Sequence, residues 1–376
     1  MKKIVIAFVS LFFLAGCTNI KEVQYQAYAV GLGIDYKDNQ YIVTVQFLDF
    51  LNVAKSEQGK GDQPSKVWLG NGTAKSIEDA IDQINKGIQL PLNFDQVKVI
   101  VFGKSLLKSK LKPTLNALDS SYNIRLTGKV YGTNQAIEDI FTAKIPFYYP
   151  FNESQISYPD AMQHQSSTVS PLTLQKFMYQ FNEKINTILL PSLEVNKEII
   201  KEDQKDYVVP SINGAHLFKE KEWKGFLNTD DLSGYIRVNN ETVRTKLNLN
   251  TDDNEMEIEL IKPKLRQVVN KDKKKYSFGL KIRIDATVLS SNERTNANKM
   301  KKQLKKQLVE EIYTSYEKSK EIGADIYQFE NYLYRYHWDI WKSSKEEEFP
   351  MLDIDDIEIN VKNFKSVPKL HSKYQP

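Results

Sequence analysis

Two early runs, residues 25–34 and 41–50, flank the turn-forming Asp35-Tyr36-Lys37-Asp38-Asn39 and are rich in apolar, β-branched and aromatic residues, which predicts a β-hairpin. Residues 52–65, rich in Gly, Lys, Ser and Gln, have the make-up of a loop, and Val67-Trp68-Leu69 returns to strand. Ser76 then opens a helix that places Ile77, Ala80, Ile81 and Ile84 on one face. A buried strand over 97–102 follows, then a helical stretch over 106–118 kinked or cut at Pro113, a strand over 125–131 and a short helix over 134–143. This alternation predicts a mixed α/β unit ending near residue 145.

Residues 146–171 carry four prolines and read as a boundary or a long irregular loop. A helix over 172–185, strands over 189–195 and 207–209, and a hairpin over 214–226 with Lys219 to Lys221 near its turn make a small second unit closing near residue 238. From residue 243 the pattern changes to long strands, 255–269 and 276–289, around the basic turn Asp272-Lys273-Lys274-Lys275. One long helix over 294–320, a helical segment over 325–341 and a last strand over 354–361 complete the chain. The expected fold class is α+β, with three mixed α/β domains at 17–145, 146–238 and 239–376, mostly antiparallel sheets, and a cleaved signal peptide at 1–16 in front of them.

The signal peptide follows from Lys2 and Lys3 and the apolar run Ile4 to Ala15, interrupted only by Ser10. That run is short of the roughly 20 residues a bilayer-spanning helix needs. It ends in Leu14-Ala15-Gly16-Cys17, which resembles the lipobox of bacterial lipoproteins, and Cys17 is the only cysteine of the chain. The resemblance implies a diacylglyceryl group on the Cys17 sulfur, cleavage before it, and attachment through two or three acyl chains, enough for stable anchoring. An uncleaved anchor helix and an ordinary signal with an incidental cysteine are the alternatives.

Composition narrows the function further. The 376 residues are 41% hydrophobic with a formal charge of +4, enough apolar material for several cores and no nucleic-acid footprint. With no cysteine beyond Cys17, an exported chain must be held by core burial without disulfides. No stretch after the signal approaches 18 consecutive apolar residues.

The candidate chemical motifs each fall short of a site. Gly31-Leu32-Gly33-Ile34-Asp35 lacks the third glycine and the following helix of a nucleotide loop, and Gly103-Lys104-Ser105 lacks the glycine five residues upstream that a phosphate loop requires. His164, His216, His337 and His371 show no metal spacing, and the acidic runs at 252–255 and 353–356 lack the pattern of a calcium loop. Ser170 has no base that the sequence can point to. Lys299, Lys301, Lys302, Lys305 and Lys306 crowd the start of the long helix; a solvated face is the ordinary reading, contact with anionic lipid the sharper one. No catalytic residue, metal or cofactor is expected.

The lipobox, Gly31-Leu32-Gly33-Ile34-Asp35, the helix from Ser76 leading into Phe94-Asp95-Gln96-Val97-Lys98-Val99-Ile100-Val101-Phe102-Gly103, and Gly323-Ala324-Asp325-Ile326 followed by Trp338 and Trp341 together resemble the Ger(x)C family. These are the spore germination lipoproteins that form the C subunit of germinant receptors. The chain departs from the family pattern at Thr18-Asn19 and after Ile326. The resemblance implies a non-enzymatic subunit, lipid-anchored to the outer face of the spore inner membrane, that assembles or signals with multi-pass A and B subunits. A solute-binding lipoprotein of a transporter and a cell-wall hydrolase are the competing classes; the first would show two matching lobes, the second a carboxylate pair in a groove.

The densest aromatic stretch, residues 327–341, adds one candidate interface. On a single helix Phe329, Tyr332, Leu333, Tyr336 and Ile340 share one face, while Tyr327, Tyr334, Trp338 and Trp341 gather opposite. Tyr334, Trp338 and Trp341 are therefore candidate partner contacts, since Tyr and Trp are favoured interface anchors.

Overall fold

The first hairpin forms as the pattern predicts, but around a tighter turn. In the computed structural model β1 (Ala27–Lys37) and β2 (Gln40–Phe47) pair antiparallel through Asp38 and Asn39, whose φ angles of 52° and 60° give the two left-handed residues that suit a twisted two-residue hairpin. The structure describes residues 25–48, 66–121, 123–251, 254–272, 275–291, 297–343 and 349–366. The signal region, Cys17 and the loop expected at 52–65 lie outside the described residues.

The hairpin lies inside a large sheet, one strand from its edge. On one side β3 (Trp68–Ala74) pairs with β2. On the other, β5 (Val99–Gly103) and β6 (Lys129–Thr133) run parallel to β1, with the two-residue strand β4 (Leu92–Asn93) beside the start of β1. β6 also pairs with the short β7 (Leu172–Thr173) and, in parallel, with β8 (Ile188–Glu202), from which β9 (Lys205–Lys219) and β10 (Glu222–Asn228) continue antiparallel. The order is β10-β9-β8-β6-β5-β1-β2-β3, so strands before and after the proline-rich segment share one sheet. That segment is an excursion between β6 and β8; it holds 3-10 turns and helix α5 (Asp160–Gln165).

Both faces of this sheet are covered, which is why its central strands read as unbroken apolar runs. Leu32, Ile34, Ile100 and Phe102 meet α1 (Ile77–Ile88), α2 (Lys104–Ser109), α3 (Leu111–Ser121) and α6 (Leu174–Asn182). Val99, Val101 and Tyr131 pack on the other side with Ile137, Ile140 and Phe141 of α4 (Ile137–Thr142) and with Phe151. Helix α1 starts where expected: the Ser76 hydroxyl accepts from the Asp79 N–H at 3.0 Å, and Ile77, Ala80, Ile81 and Ile84 are its buried residues. The helical stretch near Pro113 divides at Lys110 instead, because Pro113 stands in the first turn of α3, where its missing N–H has no intrahelical partner to lose.

The C-terminal sheet has the order β11-β12-β13-β14. β11 (Arg244–Thr251), β12 (Asn254–Asp272) and β13 (Lys275–Ser291) form an antiparallel meander, and β14 (Leu352–Ser366) joins in parallel to β13. A parallel join needs a crossover. It is supplied by α8 (Ala297–Glu321), α9 (Phe329–Tyr336) and α10 (Trp338–Ser343). Met300, Leu304, Leu308, Ile312 and Tyr316 of α8 form a buried row in one core with Ile258, Leu260, Leu280, Ile282 and Ile284. The short α7 (Ser233–Val238) lies so close to α8 that a Cβ on Gly234 would sit 2.2 Å from the Glu311 carbonyl oxygen, and the Gly234 N–H donates to Ser315 Oγ at 3.1 Å. The chain is thus mixed α and β with mostly antiparallel pairing, as the sequence predicts.

Candidate functional site

The expected single helix over 325–341 is two helices, and the break redistributes its aromatic residues. Gln328, in the left-handed region at φ 59°, precedes α9, and His337, at φ −141° and ψ 56°, separates α9 from α10. Phe329, Leu333 and Ile340 are buried as the face assignment requires. Tyr336 is 70% exposed, at the last position of α9 before the break. Tyr327, placed opposite by the helical count, is buried in the core: it lies before the helix, so the count does not reach it, and its hydroxyl donates to the Ile312 carbonyl at 3.1 Å.

The three candidate contact residues come together. Ring centroids of Tyr334 and Trp338 are 5.3 Å apart, those of Tyr334 and Trp341 4.9 Å, and those of Trp338 and Trp341 4.7 Å. They differ in exposure: Trp338 is 50% and Tyr334 41% exposed, whereas Trp341 is 9% exposed and belongs to the core. Trp341 is thus the floor on which two half-exposed rings stand. The two contacts of Tyr334 are edge-on and that between the tryptophans is tilted at 30°; such contacts contribute about 1 kcal/mol beyond burial. What the cluster can do is present a preordered apolar surface with a phenol hydroxyl and an indole N–H.

Just before it lies a buried polar junction that the sequence marks only as Gly323-Ala324-Asp325-Ile326. Gly323, at φ 70°, ends α8. Asp325 Oδ2 accepts from the Glu330 N–H at 2.8 Å, capping the start of α9, and the Asp325 N–H donates to Thr187 Oγ1 at 3.1 Å. Gln328 reaches the same residue: its Nε2 donates to the Thr187 carbonyl at 2.6 Å and its Oε1 accepts from the Thr187 N–H at 3.2 Å. Thr187 immediately precedes β8, so this motif fastens the C-terminal helices to the large sheet. Burial pushes the Asp325 carboxyl up to about 6, against the pull of the Glu330 and Phe329 N–H groups and of Lys219. Lys219 is itself paired with Glu330 at 2.6 Å. The motif was legible; its partner, more than a hundred residues away, was not.

The remaining candidates have structural roles. Gly31 and Gly33 face α4, where a Cβ on Gly33 would meet Ile137 Cγ2 at 2.3 Å, and Asp35 Oδ1 accepts from the Leu106 N–H at 3.0 Å. A Cβ on Gly103 would strike that same carboxylate, at 2.1 Å from Asp35 Cγ. The two glycine motifs are thus parts of one helix-capping arrangement. His216 is buried and held neutral, its Nδ1 accepting from Trp223 Nε1 at 3.3 Å, with burial and then Lys104 pushing it down to about 3. His164 is exposed, His337 lies between α9 and α10, and His371 falls outside the described residues. Among the described residues no group of three or more His, Cys, Asp or Glu could hold a metal ion, and no helix is long and apolar enough to cross a membrane.

Comparison with known proteins gives a consistent result along the chain. Residues 19–195 match the spore germination protein N-terminal domain, and residues 213–363 match the spore germination B3/GerAC-like C-terminal domain. Spore germination protein B3 of Bacillus subtilis is 22% identical over 389 aligned positions, covering 98% of this chain and 99% of that protein. The putative spore germination protein YfkR of the same organism is 20% identical over 64% of this chain, a match that spans only 61% of YfkR. The crystal structure of the GerBC protein superposes with a TM-score of 0.54 at 17% identity, over 93% of this chain and 100% of that one, which shows a shared fold.

Proposed function

The chain belongs to the GerAC-like family of spore germination proteins, and from that premise we propose that it acts in spore germination as the C subunit of a nutrient germinant receptor. The observation that carries this reading is the succession of both family domains, in order, over nearly the whole chain from residue 19 to 363. The subunit is non-enzymatic in this proposal: it supplies assembly or signalling contacts to multi-pass A and B subunits.

Attachment is assigned to Cys17, on the strength of Leu14-Ala15-Gly16 before it, with the folded part on the outer face of the spore inner membrane. Partner contact is assigned to the half-exposed pair Tyr334 and Trp338, with Trp341 as their support. The division into three domains at 17–145, 146–238 and 239–376 is kept as a proposal, with strands of the first two sharing one sheet. Spores lacking the chain should lose the response to one nutrient and regain it when the intact chain is restored. Co-purification from spore membranes should recover multi-pass subunits. An unchanged germination response, together with no membrane partner recovered, would overturn the receptor assignment.

A further inference from the structure

The two ends of the C-terminal sheet treat charge in opposite ways. Along β11 and the first part of β12, neighbours pair by sign: Lys246 with Glu257 at 3.0 Å and Arg244 with Glu259 at 3.3 Å. Beyond the bulge between Ile261 and Lys264 the rule inverts. Lys264 stands opposite Arg283 and Arg266 opposite Lys281, so four cations occupy adjoining positions on β12 and β13. Neighbouring strands are about 4.8 Å apart, and like charges directly opposite each other destabilise a sheet. Among the described residues, Lys281 is the one member with an acidic partner, Glu358 at 3.4 Å, and that pair is well exposed. Like charge set against like here works against the sheet, whereas opposite charges pair elsewhere on the same sheet.

The array is on the solvent side. Leu280, Ile282 and Ile284 of β13, and Ile357, Ile359 and Val361 of β14, point into the core, so the alternating positions 264, 266, 281 and 283 point away from it. These cations, with Lys262, Lys305 and Lys362 and the two acids Asp285 and Glu358, line a groove of about 1070 Å³. Of the lysines at the start of α8, Lys305 reaches this groove, whereas Lys306 pairs with Glu310 at 3.9 Å and Lys301 lies over the Phe364 ring. On a chain whose net charge is only +4, seven cations around one groove are a marked concentration of positive charge.

We propose that this face, centred on Lys264, Arg266, Lys281 and Arg283 and extended by Lys262, Lys305 and Lys362, binds the phosphate headgroups of an anionic phospholipid surface. The spread of the groove's cations over β12, β13 and β14, with Lys305 beside them, favours that occupant. A single small anion reaches only the central four, whereas laterally mobile headgroups can meet every cation at once, each adding roughly fivefold to the partition. Arg266 and Arg283 offer planar forks that match phosphate oxygens in pairs. The inference stands apart from the receptor reading, because it uses neither Cys17 nor a partner subunit.

The test uses the full chain in dodecyl maltoside micelles doped with either phosphatidylglycerol or phosphatidylcholine, read by thermal melting, since a ligand that binds the folded state raises the midpoint. Phosphatidylglycerol should raise the midpoint by a few degrees and phosphatidylcholine should not, and the rise should vanish at about 0.5 M salt, where screening shortens to a few ångströms. The double variant Arg266→Glu with Arg283→Glu makes both cross-strand pairs complementary and spares Lys281–Glu358. Its midpoint without lipid should hold or rise, while the lipid fraction needed for a half-maximal shift increases at least tenfold. The neutral pair Arg266→Gln with Arg283→Gln should show a loss in the same direction. Equal lipid responses of parent and variants, or no response of the parent, would refute the proposal. A shift with soluble pyrophosphate and none with phosphatidylglycerol would assign the groove to a free anion and equally refute it.

Discussion

The side-chain amide of Gln328 and the backbone of Thr187 form a reciprocal pair, with Nε2 donating to the carbonyl at 2.6 Å and Oε1 accepting from the N–H at 3.2 Å. One residue thereby satisfies both backbone groups of another that lies 141 positions away. Gln328→Ala removes both bonds and leaves two part-buried backbone groups short of partners, so the unfolding free energy should fall by about 1–3 kcal/mol. Gln328→Gly loses the same bonds but suits the φ of 59° better, and should be the milder change. Urea melts of the two variants check the order.

Asp325 provides a pH signature at the same junction. Burial raises its folded-state pKa from 3.8 to about 6, so its contribution to stability is fully present below pH 4 and is lost as pH rises through 6. Stability should therefore increase by up to about 3 kcal/mol, from this group, on acidification from pH 7 to pH 4. Asp325→Asn should flatten that part of the profile, as judged by melts of both proteins across this range.

Phe329 and Trp338 separate folding from contact. Phe329 is fully buried and stacks on Phe278 with centroids 4.6 Å apart, so Phe329→Ala should cost about 3–5 kcal/mol. Trp338→Ala removes a half-exposed ring and should cost about 1–2 kcal/mol, well below Phe329→Ala, while impairing receptor assembly or germination. Trp341→Ala belongs with Phe329 in kind, since Trp341 is in the core. A Trp338 variant that melts as early as the Phe329 variant would remove the ring from the surface it is assigned to.

Gly33 should be intolerant of even one methyl group. A Cβ there would sit 2.3 Å from Ile137 Cγ2, so Gly33→Ala should destabilise by about 1–3 kcal/mol. Pairing it with Ile137→Ala vacates the colliding atom, and the double variant should be less destabilised than the two single losses added together. A double-mutant cycle measured by thermal melting would register that coupling.

Cys17→Ala should abolish incorporation of labelled fatty acid and release the chain from spore membranes, since the thiol at the end of the lipobox is the only one in the sequence. Persisting label in the variant would place the anchor elsewhere.

Much of the local structure was determined by the sequence alone. The first hairpin, the helix capped by Ser76 with its four buried residues, the long strands after residue 243 and the long helix of 25 residues all follow from periods and caps acting over a few positions. The candidate ring cluster was legible in part for the same reason, since Tyr334, Trp338 and Trp341 recur at helical spacing. The tertiary structure decided what depends on distant partners. That β8 joins β6, carrying the sheet past the proline-rich segment, rests on a register between Gly132 and Ser192. That Gly33 must lack a side chain depends on where α4 docks. That Trp341 is core and Trp338 surface depends on a break at His337. The cations of β12 and β13 are unremarkable as Lys264-Leu265-Arg266 and Lys281-Ile282-Arg283; only the pairing of the strands sets like charge against like. Periodicity reports which face a side chain occupies, but what stands opposite it is settled by packing between segments far apart in the chain.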